Sequence, residues 1–317
     1  MNHAMIKGTG SYLPKNIVTN YDLEKTLETT HKWIFGRTGI AARHVVSGDE
    51  CTSMMAIKAA EKALANAKVD ENDIDMILVA TCTPDMFFPS MACHVQHGLN
   101  IKKSIPAMDI SAACSGFVYA LDVANQYIMA GTAKNILVIG SETMSRSLDW
   151  EDRGTCVLFG DGAAAAVVSS SSEKSILASI LHAKHDSAEL LQYVNRNDVE
   201  ETSFIQMQGK EIFKLAVNLM GGLVDEVLEK AGLCQSDIDW LVPHQANTRI
   251  ISAIAKKLNM PMDKVVLTIE TQGNTSAASI PIALDCAIQN NQVKRGDTIL
   301  IESFGAGLTW GAMIIRY

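Results

Sequence analysis

One helix-and-strand pattern occurs twice in this chain, about 164 positions apart. In both copies the triplet Asp-Ile-Asp follows a predicted helix and opens an apolar strand. The matched segments are residues 73–78 with 237–242, residues 113–115 with 277–279, and residues 136–138 with 299–301. Agreement at one spacing over three segments indicates an internal duplication, which limits the fold to two similar units packed on each other.

Each copy alternates strands with helices. Residues 76–80 and 135–140 are short, continuous apolar runs, which are typical of strands buried on both faces. Residues 53–67 carry one apolar face at helical spacing, and residues 21–33 also predict a single helix. This alternation predicts an α/β fold in which mostly parallel sheets are covered by helices.

A run of four serines at residues 169–172 marks the best boundary between the two copies. We therefore predict an N-terminal half over residues 1–172 and a C-terminal half over residues 173–317. With 317 residues, 48% of them hydrophobic and 20% charged, the chain is long enough to bury a large core.

Charge and cysteine usage narrow the class of protein. The net charge of −8 disfavours nucleic acid as a partner. The seven cysteines are scattered and lack CxxC spacing, which favours reduced thiols in a cytoplasm over a disulfide framework. Because the sequence shows neither an 18-residue apolar run nor a signal peptide, we expect a cytoplasmic protein that does not enter the membrane.

The first candidate for chemistry is Cys114, in the segment of residues 109–131. Small and polar residues surround this cysteine, and apolar residues at helical spacing follow it. This pattern predicts a strand, a tight turn and a buried helix with Cys114 at its N-terminal end. The positive end of a helix dipole lowers the pKa of a thiol, so we expect a reactive thiolate. The alternative is a small buried cysteine without reactivity.

Three further segments have residues suited to catalysis. His244 follows an apolar strand and precedes a helix, and Asn274 lies in a Gly-Asn turn before the second-copy helix. Ala306 and Gly307 follow a strand, where small residues allow backbone N–H groups to approach a nucleophile. Ordinary structural roles explain each segment equally well on its own: a hydrogen-bonded histidine, a helix cap and a tight turn.

A cysteine, a histidine and an asparagine suit two reaction classes. In a cysteine hydrolase, histidine deprotonates the cysteine and asparagine orients the histidine. In a carbon–carbon bond-forming acyltransferase, the cysteine carries an acyl group while histidine and asparagine donate hydrogen bonds to a thioester oxygen that gains negative charge. The residue types alone leave both classes open.

Four motifs in register resemble one family. The motifs are DISAACSGF, VPHQAN, GNTSAAS and FGAGLTWG, and the likeness runs from residue 8 to the C-terminal Tyr317. They resemble the β-ketoacyl-acyl-carrier-protein synthase III family of the thiolase superfamily. The resemblance implies a duplicated, five-layer αβαβα fold, a homodimer and a catalytic triad of Cys114, His244 and Asn274. It also implies an oxyanion hole formed by backbone N–H groups at Cys114 and at Ala306 or Gly307.

The resemblance implies a two-stage reaction that begins fatty-acid synthesis. A short acyl-coenzyme A first acylates Cys114, and malonyl-acyl-carrier protein then loses carbon dioxide and attacks the acyl group to give a β-ketoacyl-carrier protein. No cofactor is implied, because coenzyme A enters as part of a substrate. The alternatives are a related acyltransferase with a different acyl donor or a small-molecule acceptor, a hydrolase, and an inactive binding scaffold.

The family pattern also implies three groups of binding residues. Those for coenzyme A are Thr29, Trp33, Arg37, Arg153, Gly209, Phe213, Ala246, Asn247 and Arg249, with the adenine between Trp33 and Arg153. Those for the acidic carrier protein are Lys214, Arg249, Lys256 and Lys257, and those of the acyl pocket are Phe87, Phe88, Met144 and Phe159. One of the two phenylalanines, Phe87 or Phe88, would reach into the partner subunit's pocket. As alternatives, Arg153 is a plain surface charge and Phe213 a core aromatic.

One short motif has metal-ligand residue types. Cys93, His94 and His97 lie within one helical turn, but the sequence offers no second cluster of matching type. We therefore expect structural roles for these three residues and no bound metal.

Overall fold

The computed structural model describes residues 2–185, 189–193 and 203–317. The elements of the first half are β1 (His3–Tyr12), β2 (Ile17–Thr19), α1 (Asn20–Leu23), α2 (His31–Thr38), β3 (Ala42–His44), α3 (Thr52–Ala67), β4 (Met76–Ala80), α4 (Met91–Gly98), β5 (Ala107–Ile110), α5 (Gly116–Met129), β6 (Asn135–Thr143) and β7 (Asp161–Ser171). Those of the second half are β8 (Ile176–Ala183), β9 (Leu191–Tyr193), β10 (Ile205–Met207), α6 (Gly209–Ala231), β11 (Trp240–Pro243), α7 (Thr248–Lys257), α8 (Ile269–Gln272), α9 (Ser279–Gln289), β12 (Thr298–Gly305) and β13 (Thr309–Arg316).

Two mixed sheets repeat one strand order. The first sheet has the order β1-β7-β6-β4-β5, with β4 parallel to both β5 and β6 and with β7 antiparallel to its neighbours. The second sheet has the order β8-β13-β12-β11, with β11 parallel to β12. The position that β5 takes in the first sheet is reduced in the second to an isolated bridge between Leu241 and Val265. The duplication predicted from the sequence is therefore present in the strand order.

Helices and sheets form five layers. The helices α5 and α9 lie between the two sheets, and one buried apolar cluster joins side chains of both helices and both sheets. The helices α3 and α4 cover the outer face of the first sheet, and α6 and α7 cover that of the second. The predicted α/β, thiolase-like αβαβα architecture is confirmed.

The single helix predicted over residues 21–33 is wrong. The structure has two short helices there, α1 and α2, because polar caps begin a helix at each of two threonines. Thr19 caps α1 through a reciprocal hydrogen-bonded box with Asp22, and the Thr30 hydroxyl accepts the Trp33 N–H at the start of α2. The second cap fixes the position of Trp33 in the first turn of α2.

Candidate active site

Cys114 lies where the two halves meet. It sits on a 3-10 turn, Ala113–Ser115, directly before α5, and 7% of its surface is exposed. The turn forces Ala113 to a φ of 45°, and the Ser303 hydroxyl of β12 donates a 2.7 Å hydrogen bond to the Cys114 carbonyl. A β-strand of the second half therefore holds the nucleophile candidate of the first half.

The state of the Cys114 thiol differs from the expectation. Its pKa is raised to about 11, mainly because burial removes the thiol from water. A hydrogen bond with Ser276 lowers this pKa, and the Glu142 carboxylate raises it. The net direction is opposite to the lowering expected from a helix dipole, because Cys114 is buried. Burial therefore favours the thiol form of Cys114 in the free protein.

His244 follows β11 and is held from two sides. Its backbone N–H donates to the Glu302 carbonyl at 2.9 Å, and its Nδ1 lies 2.6 Å from the Ser279 hydroxyl at the start of α9. The Ser279 oxygen also accepts the Gln245 N–H at 3.4 Å, which favours donation of its own proton to Nδ1. Burial lowers the pKa of His244 to about 4. The imidazole is therefore neutral, and the tautomer that the Ser279 contact favours has its proton on Nε2, as a donor.

Asn274 is fixed on the turn between α8 and α9. Its N–H donates to the Leu158 carbonyl at 2.8 Å, and its carbonyl accepts the Gly160 N–H at 3.0 Å. Its side-chain Oδ1 accepts the Ser276 N–H at 2.9 Å, so the amide group is oriented with NH₂ as the remaining donor. His244 and Asn274 are consequently both hydrogen-bond donors.

The three residues line one cavity, which we call the catalytic cavity. Its volume is about 610 Å³. A second space of about 720 Å³, which we call the acyl cavity, adjoins it and shares Cys114, Phe159 and Leu191. The Cys114 sulfur thus stands where one channel could deliver a thioester and the other could hold its acyl chain.

The candidates for the oxyanion hole are placed differently. Ala306 lines the acyl cavity together with Cys114, whereas Gly307 is outside the described lining of either cavity. Gly305 lines the catalytic cavity, and a Cβ built on it would lie 2.7 Å from the Cys114 nitrogen. Only glycine allows β12 to pass this close to the Cys114 backbone.

The predicted coenzyme A residues gather at the catalytic cavity with one exception. Thr29 is outside the described lining, and the residues that do line it are Trp33, Arg37, Arg153, Gly209, Phe213, Ala246, Asn247 and Arg249. The guanidinium carbons of Arg37 and Arg153 lie 4.8 and 5.3 Å from the centre of the Trp33 ring. The mouth of the cavity therefore combines an aromatic face with positive charge, which suits a purine and phosphates.

The predicted carrier-protein residues divide into two pairs. Lys214 and Arg249 line the catalytic cavity, while Lys256 and Lys257 lie at the far end of α7, outside the described lining. Lys214 pairs with Glu211 at 3.3 Å, and Lys257 pairs with Asp225 at 2.7 Å. Two of the four cations are thus partly neutralised by neighbours on α6.

The predicted acyl-pocket residues also divide. Phe87, Met144 and Phe159 line the acyl cavity, while Phe88 is outside its described lining. Both phenylalanines protrude, with 76% of Phe87 and 85% of Phe88 exposed in the single chain. The loop that bears them is therefore free to contact another molecule.

Several polar residues at the site were not predicted from the sequence. Ser279 orients His244, and Glu302 lines the catalytic cavity. Glu142 accepts hydrogen bonds from Thr83 at 2.5 Å and from Cys82 at 3.1 Å, next to the nucleophile. Ser279 belongs to the GNTSAAS motif, which could have drawn attention to it. No spacing in the sequence marks Glu142 or Glu302 as site residues. The alternation of side chains along their strands indicates only that both positions face the interior.

Within the described ranges, no group of three or more His, Cys, Asp or Glu side chains is arranged to hold a metal ion. Cys93, His94 and His97 accordingly form no such group. Of the helices that the structure describes, none has the length and apolar character needed to cross a membrane.

The duplicated layers and the cysteine, histidine and asparagine at their junction define a class, the condensing acyltransferases of thiolase-like fold. Two family models match the chain: 3-oxoacyl-[acyl-carrier-protein (ACP)] synthase III over residues 108–185 and its C-terminal domain over residues 228–317. This chain belongs to the β-ketoacyl-[acyl-carrier-protein] synthase III family.

Full-length relatives support this membership. The chain is 52% identical to β-ketoacyl-[acyl-carrier-protein] synthase III of Coxiella burnetii, with all of both chains covered. It is 50% identical to the enzyme of that name from Methylococcus capsulatus, with 99% of each chain covered. The crystal structure of 3-oxoacyl-[acyl-carrier-protein] synthase III from Aquifex aeolicus is similar with a TM-score of 0.94 and 51% identity, covering 99% of this chain and all of that one.

Proposed function

We propose that this enzyme condenses a short acyl group from acyl-coenzyme A with malonyl-acyl-carrier protein, with loss of carbon dioxide, to start fatty-acid synthesis. The observation that carries the proposal is the arrangement in one cavity of a buried thiol and two oriented hydrogen-bond donors, Cys114, His244 and Asn274. A hydrolase of the papain type would need a histidine set to accept the thiol proton, but Ser279 sets His244 as a donor.

In the first stage, Cys114 attacks the acyl thioester. The sulfur–carbon bond to the enzyme forms, the bond to the coenzyme A sulfur breaks, and the proton lost by the Cys114 thiol ends, by way of solvent, on the coenzyme A that leaves as a thiol. The acyl oxygen becomes negative in the transition state, where the N–H groups of Cys114 and Ala306 would donate to it. The acyl chain would extend into the acyl cavity between Phe87, Met144 and Phe159.

In the second stage, His244 and Asn274 act on the malonyl thioester. Loss of carbon dioxide leaves the electron pair on the α-carbon and its charge on the thioester oxygen. Two donors aimed at that oxygen stabilise the enolate more than the ground state, which lowers the barrier. The α-carbon then attacks the acyl carbonyl, and the electrons return to the Cys114 sulfur as the β-ketoacyl product leaves.

Residues in and near the cavities support the proposed substrates and partners. Trp33, Arg37 and Arg153 would hold the nucleotide end of coenzyme A. Lys214, Arg249, Lys256 and Lys257 would attract the acidic carrier protein on a chain of net charge −8. No cofactor is needed beyond these substrates, and the cytoplasm is the proposed compartment.

A homodimer would complete the acyl cavity. Phe87 and Phe88 protrude from the loop between β4 and α4, and β5 is an edge strand of the first sheet. Exposed aromatic residues beside an open strand edge are suited to a second copy of the chain. In each subunit of such a dimer, the proposed half of residues 1–172 would supply one sheet and the proposed half of residues 173–317 the other.

Intact-protein mass spectrometry tests the proposed function. The protein is mixed with a panel of acyl-coenzyme A thioesters, and we expect one stable acyl adduct on Cys114 that disappears when malonyl-acyl-carrier protein is added. Cys114→Ala should abolish the adduct, and the control Cys82→Ser, which changes the neighbouring thiol, should retain it. Steady release of coenzyme A without an adduct or condensation product would instead indicate a hydrolase.

A further inference from the structure

Gln245 directly follows His244 but lies outside the described lining of both cavities. Only 1% of its surface is exposed, whereas its neighbours His244 and Ala246 line the catalytic cavity. A substrate or a carrier protein therefore has no access to the Gln245 side chain. Any effect of this residue on the reaction must pass through the groups that it contacts.

The Gln245 amide is hydrogen-bonded on both of its polar atoms. Its Nε2 donates to the Pro243 carbonyl at 2.8 Å and to the Val266 carbonyl at 3.1 Å. Its Oε1 accepts the N–H of Thr268 at 2.9 Å and that of Ile269 at 3.1 Å. These backbone partners fix the orientation of the amide, because a carbonyl can only accept and an N–H can only donate. The four bonds use both donors and both lone pairs of the side chain.

The amide joins the two segments that carry the donors His244 and Asn274. One bond of Nε2 goes to the last residue of β11, directly before His244. Both bonds of Oε1 go to the start of α8, where the Thr268 side chain makes no capping bond of its own. Because α8 ends two residues before Asn274, a shift of this helix would move the Asn274 amide. Gln245 therefore caps α8 and ties it to the strand that precedes His244.

The first half of the chain achieves the same support with a full strand. There, β4 and β5 pair over four positions, and this ladder leads to the Cys114 turn. At the corresponding place in the second sheet, the described residues keep only the bridge between Leu241 and Val265, where the Val266 N–H donates to the Leu241 carbonyl at 2.9 Å. Beyond this bridge, bonds to the Gln245 amide take the place of the backbone ladder.

We infer that Gln245 is a positioning residue for the malonyl stage, in which its amide sets the position of Asn274 relative to His244. Both donors must reach the same thioester oxygen, and an error of about 1 Å in such an arrangement costs about 100-fold in rate. No bond to substrate forms or breaks at Gln245, and no proton moves to or from it. Because His244 and Asn274 act together on one oxygen only in the proposed function, this role of Gln245 rests on that function.

Gln245→Met tests this role, since it gives a side chain of similar length without a strong donor or acceptor. The variant is first acylated, and the adduct on Cys114 is counted by intact-protein mass spectrometry, so that only folded and competent protein is compared. Single-turnover release of labelled carbon dioxide at saturating malonyl-acyl-carrier protein should then be about 100-fold slower than in wild type.

Two other quantities should change little in Gln245→Met. The acylation rate should stay within about threefold of wild type, because Ser303 and the first sheet hold the Cys114 turn. The half-saturating concentration of malonyl-acyl-carrier protein should stay within about twofold, because the Gln245 side chain is buried away from the carrier protein.

Two variants accompany this measurement. Gln245→Glu keeps an acceptor for the N–H groups of α8 but loses both donors when it is ionised, so carbon dioxide release should fall less than in Gln245→Met while acylation is again preserved. If Gln245→Met does not fold, the comparison with wild type is made on Gln245→Glu. The control Gln289→Met makes the same change at an exposed glutamine at the end of α9, outside the described cavity linings, and should match wild type.

Three results would overturn the inference. Equal losses in acylation and in carbon dioxide release would indicate a general effect on the fold, and wild-type release would show that the link is dispensable. A raised half-saturating concentration with an unchanged maximal rate would place Gln245 in a carrier-protein contact instead. An absence of acyl adduct or of carbon dioxide release in the wild-type protein would refute the proposed function itself.

Discussion

Adding one methyl group at Gly305 tests how the second half holds the nucleophile. A Cβ at this position would lie 2.7 Å from the Cys114 nitrogen, and 3.2 Å from the Ala113 Cβ and from the Ser115 nitrogen. Ordinary contact begins at 3.4 Å, so Gly305→Ala must part β12 from the Cys114 turn by about 0.7 Å. The Cys114 N–H, a proposed donor to the acyl oxygen, would be displaced with the turn.

The displacement gives a magnitude for the loss of activity. Removal of one oxyanion donor typically costs 10²- to 10³-fold in rate, or about 3–4 kcal/mol of transition-state stabilisation. Overpacking a tight contact typically costs about 1–3 kcal/mol of folding free energy. We therefore expect Gly305→Ala to remain folded, to melt at a lower temperature and to acylate at least about 100-fold more slowly than wild type.

The assay compares acylation by rapid-quench mass spectrometry with thermal unfolding. Gly222→Ala is the matched control, because a Cβ there has nothing within 4 Å and the position is an exposed part of α6. Alanine in place of glycine in a helix should stabilise by about 0.5–1 kcal/mol and leave acylation unchanged. If folded Gly305→Ala acylates within twofold of wild type, the close approach of β12 has no part in the chemistry.

Three further predictions concern other contacts. Ser279→Ala removes the hydroxyl that contacts the Nδ1 of His244, which frees this nitrogen to take the imidazole proton. Carbon dioxide release from malonyl-acyl-carrier protein should then fall about tenfold, while the acylation rate changes less than threefold. Equal losses in the two rates would contradict the orienting role of Ser279. Burial lowers the pKa of His244 from 6.5 to about 4, so the unfolded chain binds a proton that the folded protein does not bind over this interval. About 3 kcal/mol of stability that is present above pH 6.5 should therefore be lost as the pH falls through 4. The urea unfolding free energy of His244→Gln should depend less on pH over this interval than that of wild type. Arg249→Glu should raise the KM for carrier protein about tenfold at low salt, and the increase should fade in about 0.5 M salt because salt screens the charges. The control Lys58→Glu makes the same charge change on α3 and should leave this KM unchanged.

The outline of the fold was accessible from local patterns. Strand alternation, helical spacing and the duplicated segments are properties of neighbouring residues, and they predicted the α/β layers and the pairing of two halves. The helix over residues 21–33 was the exception. There, the caps at Thr19 and Thr30 begin two helices where the spacing indicated one.

The sequence by itself therefore determined the family, the architecture and the candidate triad, because motifs and periodicity are written along the chain. Only the tertiary structure decided the protonation states and the partners of these groups. The contact of Ser279 with His244 spans 35 positions, and that of Ser303 with Cys114 spans 189. Burial, which no local pattern measures, raises the pKa of the Cys114 thiol and of Glu302 and lowers that of His244. Because desolvation depends on everything packed around a group, the chemistry of this site emerges only when the two halves meet.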